Sequence, residues 1–401
     1  MGTLRALDLF CGTGGFSKGF EDEGHFQVAF GLDLLPVAIR TFRLNHPAAL
    51  AGAGDIRAVR PADVAARLGA RPGDVDVIIG GPPCQGFSSI RPHRSAAHDD
   101  RRNALFKDFA VYVDYFRPHM FVMENVVGLV THDRGRTLAA IEEIFAGLGY
   151  DTDWRIVNAA HFGIPQKRER LIMLGAERGT PLSFPTPTHA FRGDTIGLQD
   201  RRRMLLPAPR TLFNQRAPLL PPAITVAEAI DDLPAIGSGE RADAYTTPAR
   251  TPYQEARRAG SLALTWHAST AHTPKMLEII RHAGPNISCI PEHLITSGFS
   301  SCYSRLAADE PSVTITVNFV HPASNRCIHP WLDRALTPRE GARLQGFDDT
   351  FQFAGSRTEV VKQIGNAVPP LLGRAIAAQI AQILGVSGAA PDPAAWAHTD
   401  G

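Results

Sequence analysis

One of the five cysteines stands in a loop that could present a thiolate nucleophile. Cys84 occurs in the segment Gly80-Gly-Pro-Pro-Cys-Gln-Gly-Phe-Ser88, directly after a strand-like run, where two prolines hold it and glycines flank it. A structural cysteine normally sits inside an apolar run, whereas a rigid loop at the carboxyl edge of a sheet can expose a reactive thiolate. The pattern therefore indicates nucleophilic catalysis by Cys84.

Two further segments could supply a proton and positive charge beside such a nucleophile. Glu124 ends the strand-like run 120–123, and a carboxyl group there could share or donate a proton if its pKa is raised. In the block Gln166-Lys-Arg-Glu-Arg170, alternation places Gln166, Arg168 and Arg170 on one face of an extended segment, where they could bind an anion or a carbonyl oxygen. Taken alone, each segment is equally typical of a solvated surface.

A glycine-rich turn predicts a ligand that contains a nucleoside. The segment DLFCGTGGFS (8–17) follows the first strand and opens the first helix, where glycines let the backbone approach a ligand closely. Asp33 ends the second strand and could accept hydrogen bonds from ribose hydroxyls, and Asp55 follows where a third strand should end. The turn lacks the G-x-G-x-x-G spacing of dinucleotide sites, so the pattern favours adenosine without a pyrophosphate. A tight structural turn is the alternative interpretation.

These residues need a scaffold that brings strand ends together. The first 176 residues alternate strand-like and helix-like segments, which predicts a doubly wound, mostly parallel α/β sheet with its ligand sites at the carboxyl ends of the strands. The intervening helical stretches include Pro36–Leu44 and Thr137–Leu148. The strand candidates are Leu4–Phe10, Phe26–Asp33, Asp76–Gly80, Met120–Glu124, Trp154–Val157 and Leu171–Leu174.

The regular alternation fades after residue 178. Residues 179–300 combine Pro- and Arg-rich stretches with helical pieces at 226–233 and 275–282, which predicts a smaller, irregular second lobe. Order returns over 301–386, which ends in the amphipathic helix Leu371–Leu384, and 387–401 resembles a disordered tail. The predicted divisions are therefore a catalytic part (1–178), the lobe, and a C-terminal part that returns to the catalytic part.

Composition narrows the class of protein. With 44% hydrophobic and 20% charged residues, the chain resembles an ordinary globular protein, and it contains no apolar run long enough for a membrane span. The first residues lead directly into a strand, so we expect no signal peptide. The cysteines are odd in number and form no CxxC pair, which favours a reducing compartment over a disulfide scaffold or a structural zinc site. A cytoplasmic protein without a metal is expected.

Six sequence blocks resemble the DNA C5-cytosine methyltransferase family, in the bacterial and phage form. In order they are DLFCGTGGFS, GGPPCQGFS, ENV, QKRER, RALTPREGARLQGF (334–347) and QIGNAVPP (363–370). The resemblance implies the fold of S-adenosylmethionine-dependent methyltransferases with a target-recognition lobe. It also implies transfer of a methyl group from S-adenosylmethionine to carbon 5 of a flipped cytosine in double-stranded DNA, through a covalent adduct of Cys84.

The same resemblance assigns roles to individual catalytic and DNA-contacting residues. It makes Cys84 the nucleophile, and it places Glu124 against the cytosine ring nitrogen N3. Arg170 is expected to hold the carbonyl oxygen of the base, and Arg168 to orient the catalytic loop and the DNA backbone. The positions expected to contact DNA are Gln85, Ser88 and Gln166.

The resemblance also implies a cofactor pocket, with two departures from the family pattern. Asp33 stands where the family often has Glu, and the shorter acid should still reach the ribose. Leu34 stands where an aromatic residue often stacks on adenine, so adenine packing is expected to be weaker. Cys11 is expected to be structural. The residues expected to line the pocket are Phe10, Gly12, Thr13, Gly14, Gly15, Asp33, Leu34, Asp55, Ile56, Pro83, Leu105, Asn366, Ala367 and Val368.

Two rival functions remain at this point. A tRNA-methylating enzyme of the same superfamily would share these blocks, although its recognition lobe would be shorter than the interval of about 120 residues found here. A catalytically inactive scaffold would not need the intact catalytic set. We expect a monomer that acts on DNA, with a separate restriction endonuclease if the gene belongs to a restriction-modification system.

Sequence selection is expected within residues 236–300. The family blocks are accounted for on either side, and TVAEAIDDLP (225–234) also resembles a shared family segment. The alternative is that this interval is a solvated, variable surface and that the catalytic loop selects the sequence. The side chains with suitable chemistry for base edges are Gln254, Arg257, Arg258, His267 and Asn286.

Overall fold

A computed structural model describes residues 3–83, 105–191, 193, 201–207, 219–295 and 300–386. Seven of the strands in these residues form one sheet, and two short ones pair separately. The strands are β1 (Leu4–Leu9), β2 (Phe26–Asp33), β3 (Leu50–Ala53), β4 (Val77–Gly80), β5 (Met120–Asn125), β6 (Tyr150–Asn158), β7 (Gln166–Lys167), β8 (Glu169–Glu177) and β9 (Ser312–Val313).

The large sheet has the strand order β3-β2-β1-β4-β5-β8-β6. All neighbouring pairs from β3 to β5 are parallel, whereas β8 runs antiparallel to both β5 and β6. The predicted doubly wound, mostly parallel sheet is thus confirmed. Strand β7 pairs in parallel with β9, which joins the segment after 300 to the QKRER block.

Local sequence signals explain where many of the helices begin. Proline occupies the first turn of six of them, where its missing N–H costs nothing, and three begin with a capping box of Thr or Ser and Glu. In the residues that the structure covers, no helix is long and apolar enough to cross a membrane. The helices are α1 (Gly15–Glu23), α2 (Pro36–Asn45), α3 (Pro61–Leu68), α4 (Leu105–Phe116), α5 (Arg136–Gly147), α6 (Val226–Ile230), α7 (Pro252–Arg258), α8 (Pro274–His282), α9 (Pro338–Leu344), α10 (Arg357–Asn366) and α11 (Pro370–Ile383).

Apolar side chains cover both faces of the sheet. One core includes Phe16 and Phe20 of α1 together with residues of α11, and the other includes aromatic residues of α4 and α5. Helices α1 and α11 lie very close, because a Cβ added at Gly19 would stand 2.3 Å from the carbonyl oxygen of Pro370. The last described helix therefore completes the core that the first helix begins.

Residues 236–270 are joined to the catalytic part rather than forming a separate lobe. Three fully buried arginines near α9 hold this interval and α6. Arg334 donates to the carbonyl oxygen of Ile236 at 2.8 Å, Arg339 to that of Thr265 at 2.9 Å, and Arg343 to the last turn of α6. The predicted irregular lobe is therefore narrower than 179–300.

This packing corrects most of the predicted base contacts. The side chains of Gln254, Arg257 and His267 are buried and bind carbonyl or carboxylate oxygens within the chain. Arg258 lies over a tyrosine ring, 3.8 Å from its centre. Asn286 is exposed, but its side-chain oxygen accepts the N–H of Ser288. All of the predicted positions except Asn286 thus make contacts within the protein. Long polar side chains can do this because they also satisfy buried backbone groups.

A third, smaller apolar cluster surrounds α8. Ile279 and Ile280 of this helix pack with residues near 290 and with Ile328. Arg305 fixes the end of the helix, because its guanidinium donates to the carbonyl oxygens of Ile280 at 3.0 Å and Ala283 at 3.1 Å. The outer residues of α8 are exposed. The part of the predicted lobe around α8 therefore has its own small apolar core and an exposed outer face.

Candidate active site

The glycine-rich turn lies at the carboxyl end of β1 and leads into α1. Its backbone departs from ordinary geometry at Phe10 (φ 64°) and Gly14 (φ 86°), and left-handed φ at a bulky residue marks a position that the surroundings enforce. Buried Asp8 braces the turn, because its carboxylate accepts a 2.6 Å hydrogen bond from the Ser17 hydroxyl on α1. Burial raises the pKa of Asp8 to about 7.

Asp33 reaches the same turn from the end of β2. One carboxylate oxygen accepts the N–H of Gly12 at 2.9 Å, and the other accepts the N–H of Leu35 at 2.8 Å. Burial raises the pKa of Asp33, while these two N–H donors act in the opposite direction. Leu34 beside it is 63% exposed, which leaves a large apolar side chain at the mouth of the turn. The structure therefore brings the turn and the predicted ribose acceptor together.

The C-terminal segment closes the turn from the opposite side. A Cβ added at Gly15 would stand 2.5 Å from the carbonyl oxygen of Val368, so only glycine permits this approach. Ala367 is fixed in turn, because its carbonyl oxygen accepts a 2.6 Å hydrogen bond from Gln345. Asn366 is exposed at the end of α10. The segment QIGNAV, which is predicted to line the cofactor pocket, thus lies against the start of α1.

The remaining predicted cofactor residues differ in their surroundings. Ile56 and Leu105 are buried, and Pro83 is partly buried. Asp55 pairs with Arg57, whose hydrogen bonds lower the pKa of this carboxyl to about 2. Thr13 is buried, and its hydroxyl has no hydrogen-bond partner among the described residues. A buried hydroxyl without a partner is a polar group that a ligand could satisfy.

Glu124 and Arg170 meet at the neighbouring strand ends. The Arg170 Nε lies 2.8 Å from the Glu124 Oε1, and only 16% and 13% of the two side chains are exposed. The antiparallel register of β5 and β8, in which Glu124 lies opposite Ile172, brings the start of one strand to the end of the other. This edge of the sheet therefore holds an acid and a guanidinium in one largely buried ion pair.

The loop that leads to Cys84 begins against this pair. A Cβ at Gly81 would stand 3.2 Å from the Glu124 Oε2, and the Asn125 side chain donates to the carbonyl oxygen of Pro82 at 3.1 Å. The start of the loop is thus fastened beside the carboxylate. Three residues with predicted roles lie outside the described residues: Cys84, Gln85 and Ser88.

Arg168 is buried behind the pair. Its Nη1 donates to the carbonyl oxygens of Ile315 and Gly365, both at 3.3 Å, while its Nε has no partner in the described parts of the chain. Burial lowers the pKa of Arg168, and the nearby Arg170 lowers it further. Arg168 thus binds two segments of the C-terminal part of the chain, at Ile315 and in α10, and its Nε remains available as a donor.

The predicted DNA contact of Gln166 is corrected by the structure. Gln166 is fully buried, and its amide donates to the carbonyl oxygen of Leu344 at 3.0 Å and accepts the N–H of Ile315 at 2.9 Å. Alternation grouped it correctly with one face of the strand, but that face is the protein interior. Gln166 therefore fastens β7 to α9 instead of facing DNA.

The sequence analysis did not identify the side chains that form hydrogen bonds to the loops of the site and hold them in place. His46 and Asp8 both bind the glycine-rich turn or its flank, and Asn125 binds the cysteine loop. For Asn125 a signal existed, because it directly follows Glu124 at a strand end. His46 carried none, because its partner Gly14 lies 32 residues away and no local period links them.

Comparison with known proteins agrees with this arrangement. The family model described as C-5 cytosine-specific DNA methylase matches residues 4–382. The type II methyltransferase M.AgeI of Thalassovita gelatinovora is 33% identical over 437 residues, which cover 94% of this chain and 99% of that protein. M1.HphI of Haemophilus parahaemolyticus is 35% identical over 379 residues, which cover 94% of this chain and 86% of that protein.

Solved structures show the same fold. A prophage-encoded DNA modification methyltransferase from E. coli has a TM-score of 0.72 at 24% identity, and the match covers 96% of this chain and 100% of that one. DNMT2 of Spodoptera frugiperda is less similar, with a TM-score of 0.58 at 14% identity over 95% of this chain and 99% of that one. With a family model that spans nearly the whole chain and relatives that share a third of its residues, this protein belongs to the C-5 cytosine-specific DNA methylases.

Proposed function

We propose that this protein methylates carbon 5 of a flipped cytosine within a specific sequence of double-stranded DNA. The observation that carries the proposal is the Glu124–Arg170 pair, which lies against Gly81 at the start of the loop that bears Cys84. The glycine-rich turn and Asp33 occupy the same edge of the sheet. A methyl donor and a nucleophile can therefore act on one base from neighbouring positions.

S-adenosylmethionine fits the residues of the turn. Asp33 can accept ribose hydroxyls with its remaining lone pairs, exposed Leu34 can cover adenine, and the Thr13 hydroxyl still lacks a partner among the described residues. When bound, S-adenosylmethionine supplies an electrophilic methyl group. The turn itself holds the ligand, excludes water from its apolar part and fixes its orientation.

The side chains of the neighbouring edge act on the cytosine ring. The Cys84 thiolate adds to carbon 6, which makes carbon 5 electron-rich enough to attack a methyl group, and loss of the carbon 5 proton then expels the thiolate. Once the base has displaced Arg170 from the pair, Glu124 takes up a proton from solvent and donates it in a hydrogen bond to N3, and Arg170 compensates the charge that develops on the carbonyl oxygen. Before the base enters, the two side chains satisfy each other at 2.8 Å. Entry of the base therefore replaces one ion pair with two contacts to the substrate.

We infer that the sequence-reading surface is the part of the predicted lobe around α8, residues 271–300, together with the Pro- and Arg-rich stretch 179–222. Residues 236–270 are excluded from this assignment because Gln254, Arg257 and His267, which have suitable chemistry for base edges, are buried and bind groups within the protein. The catalytic parts would remain 1–178 and 301–386. We further propose a monomer that works independently of any cognate endonuclease.

Expression in a host free of DNA methylation, followed by bisulfite sequencing, tests the activity. The expected result is complete protection of cytosine in one short recurring sequence. Cys84→Ser should abolish the signal while the protein stays folded and binds DNA. A duplex with 5-fluorocytosine at the target should trap the wild-type protein covalently, because fluorine cannot leave as a proton does. Methylation by Cys84→Ser at a near wild-type rate would contradict the nucleophile assignment.

A pair of chimeras tests the assignment of the recognition surface. Exchange of residues 271–300 for the equivalent segment of a relative with another target should transfer that target sequence. Exchange of 236–270, which is similar in length, serves as the matched control and should leave the target unchanged or unfold the protein, because it removes partners of the buried arginines. A folded, active 271–300 chimera that keeps the original target would defeat the assignment.

A further inference from the structure

A basic turn follows β5 at the carboxyl edge of the sheet. This turn, residues 132–136 with the sequence HDRGR, joins the strand that carries Glu124 to α5. Between the strand and the turn, the segment Val127–Leu129 packs against β8, the strand of Arg170, and Leu129 is fully buried in the core. Both arginines of the turn are exposed. The basic turn is therefore anchored at the edge that holds the Glu124–Arg170 pair.

The backbone of the basic turn is held in an unusual shape. Asp133, Arg134 and Gly135 are all left-handed, with φ of 49°, 57° and 85°. L-amino acids normally adopt this conformation as single residues, so a run of three marks a shape that the surroundings enforce. Hydrogen bonds fix it on both sides. The N–H of Arg134 donates to the carbonyl oxygen of Thr131 at 3.2 Å, and the Arg136 guanidinium donates to that of Asp133 at 3.2 Å.

The Arg134 guanidinium lacks a counter-ion within the described parts of the chain, where its side chain forms no ion pair and no hydrogen bond. Other exposed arginines, such as Arg60 and Arg241, pair with an aspartate close by in the sequence. Arg136 pairs with Asp133, yet 73% of its side chain is exposed, so some of its donors still face water. The chain as a whole has a net charge of only +1, so this uncompensated positive charge is a local feature of the edge.

A nucleic-acid phosphate matches the basic turn in charge, in shape and in location. A guanidinium binds a phosphate through two parallel N–H donors. A cytosine that has flipped out to reach Glu124 and Arg170 stays bonded to the backbone of its strand, so the flanking phosphates must lie at the mouth of the pocket. The basic turn lies just beyond the strand end that carries Glu124. Its positive charge is therefore placed where these phosphates come closest to the protein.

We propose that Arg134, assisted by Arg136, binds the DNA phosphates that flank the flipped cytosine and so positions the target strand over the Glu124–Arg170 pair. The inference rests on the proposed function. Because phosphates carry no sequence information, the contact adds affinity and orientation without selecting the target. It is thus distinct from the surface around α8, to which base reading is assigned. The enforced backbone holds Arg134 in place before DNA arrives, so less ordering is needed on binding.

Removal of charge from each partner in turn tests the contact. The probe is a short duplex with one copy of the sequence that bisulfite sequencing identifies, made with natural phosphates or with neutral methylphosphonates on both sides of the target cytosine. Arg134→Gln should bind the natural duplex about tenfold more weakly than wild type. Its plot of log affinity against log salt should be shallower by about one unit of slope.

The methylphosphonate duplex should couple to the substitution. Wild type should bind it at least about tenfold more weakly than the natural duplex. Arg134→Gln should lose clearly less on the same change of duplex, because the contact that the methylphosphonates remove is already absent. A residue that only stabilised the fold would not produce this coupling.

The chain offers a matched control at the opposite edge of the sheet. Arg71 is also exposed and forms no side-chain ion pair among the described residues, but it precedes β4, so Arg71→Gln should bind both duplexes as wild type does. Arg134→Lys keeps the charge but loses the planar fork, so its affinity should lie between those of wild type and Arg134→Gln. Affinity for S-adenosylhomocysteine should be the same in all of these proteins, which checks that they are folded.

The outcomes separate this inference from the proposed function. A wild type that binds no duplex would overturn the proposed function and the phosphate contact with it. If wild type does bind, the phosphate contact alone is refuted when Arg134→Gln binds the natural duplex as tightly as wild type. It is also refuted when both proteins lose the same factor on the methylphosphonate duplex, because Arg134 would then act on the protein itself.

Discussion

Buried charges occur in two regions of this protein, and only in one of them are all the charges paired. Around α9, Arg334 binds Glu340 at 2.7 Å and Arg343 binds Asp349 at 2.6 Å, all of them fully or almost fully buried. At the carboxyl edge of the sheet, Asp8, Asp33 and Arg168 are largely buried as well. In the described residues none of these three has an ion-pair partner.

The pKa values reflect this contrast. Burial alone would raise the pKa of Glu340, but Arg334, which binds its carboxylate, lowers it far below the usual range. Burial raises the pKa of Asp8 and Asp33 and lowers that of Arg168, so there the desolvation dominates. Paired charges hold segments together, whereas charges left without a counter-ion mark the edge where ligands are expected.

The largest expected effect comes from breaking the paired region. Arg343→Ala leaves buried Asp349 and Asp232 with only their longer contacts to Arg339 and Arg258, so the free energy of unfolding should fall by roughly 3–5 kcal/mol. Urea denaturation at neutral pH measures this. Arg241→Ala removes the exposed pair with Asp243 and should cost less than about 1 kcal/mol. If the free energy of unfolding fell by a similar amount in both variants, the buried ion pairs would contribute no more to stability than the exposed pair.

The unpaired region should respond in the opposite direction. The pKa of Asp8 is raised to about 7 in the folded protein, so between about pH 4 and 7 the folded state binds more protons than the unfolded state and stability falls as pH rises. Asp8→Asn removes this penalty and still accepts from Ser17. Near pH 7.5 the variant should be roughly 2–4 kcal/mol more stable than wild type, and the gain should vanish toward pH 4. Parallel stability curves for the two proteins would refute the account.

Substitution of the two arginines of the site should distinguish effects on the methylation rate from effects on DNA affinity. Arg170→Ala should lower the single-turnover rate about a hundredfold with little change in DNA affinity, because its guanidinium is assigned to the flipped base. Arg168→Ala should lower both, because it tethers two segments around the site. Arg155→Ala, which removes a half-exposed arginine paired with Asp153 on β6, is the control and should change neither. A loss in Arg170→Ala that is purely one of affinity would remove its catalytic role.

The smallest effect is expected at the ribose acceptor. Asp33→Ala removes a carboxylate that is expected to bind both hydroxyls, which corresponds to roughly 1–3 kcal/mol or a ten- to hundredfold loss of cofactor affinity. DNA affinity should change little. Calorimetry measures the first and a gel-shift assay the second, with exposed Asp63→Ala as the control. Unchanged cofactor binding in Asp33→Ala would place the ribose elsewhere.

The sheet could be predicted because its signals are local. The run Phe26–Asp33 is a strand with the predicted bounds, and Leu4–Leu9 ends one residue before its prediction. Strand Leu50–Ala53 lies where the position of Asp55 implied a third strand, but its bounds could not be predicted because its sequence LAGA has no alternation and little β propensity. The antiparallel direction of β8 also could not be read from the chain, because direction depends on tertiary pairing.

Predictions failed where the decision was between interior and surface. Alternation correctly grouped Gln166 with one face of its strand, but nothing local shows that this face is packed on α9. Likewise Arg257 and His267 have the chemistry to read bases, and their burial depends on partners 89 and 33 residues away. The family blocks located the catalytic side chains. The buried side chains that hold them in place, such as His46 and Gln166, could be identified only from the structure.

The contact between α1 and α11 has a consequence for how the protein is made. Many domains fold from their N-terminus while the ribosome is still working. Here the apolar face of α1 stays uncovered until Pro370–Ile383 has been synthesised, and so does the Val368 carbonyl that approaches Gly15. The nascent chain therefore stays incompletely folded until then, with apolar surface that chaperones can bind. Copies that terminate before Pro370 lack one wall of the glycine-rich turn, so only full-length molecules should methylate DNA.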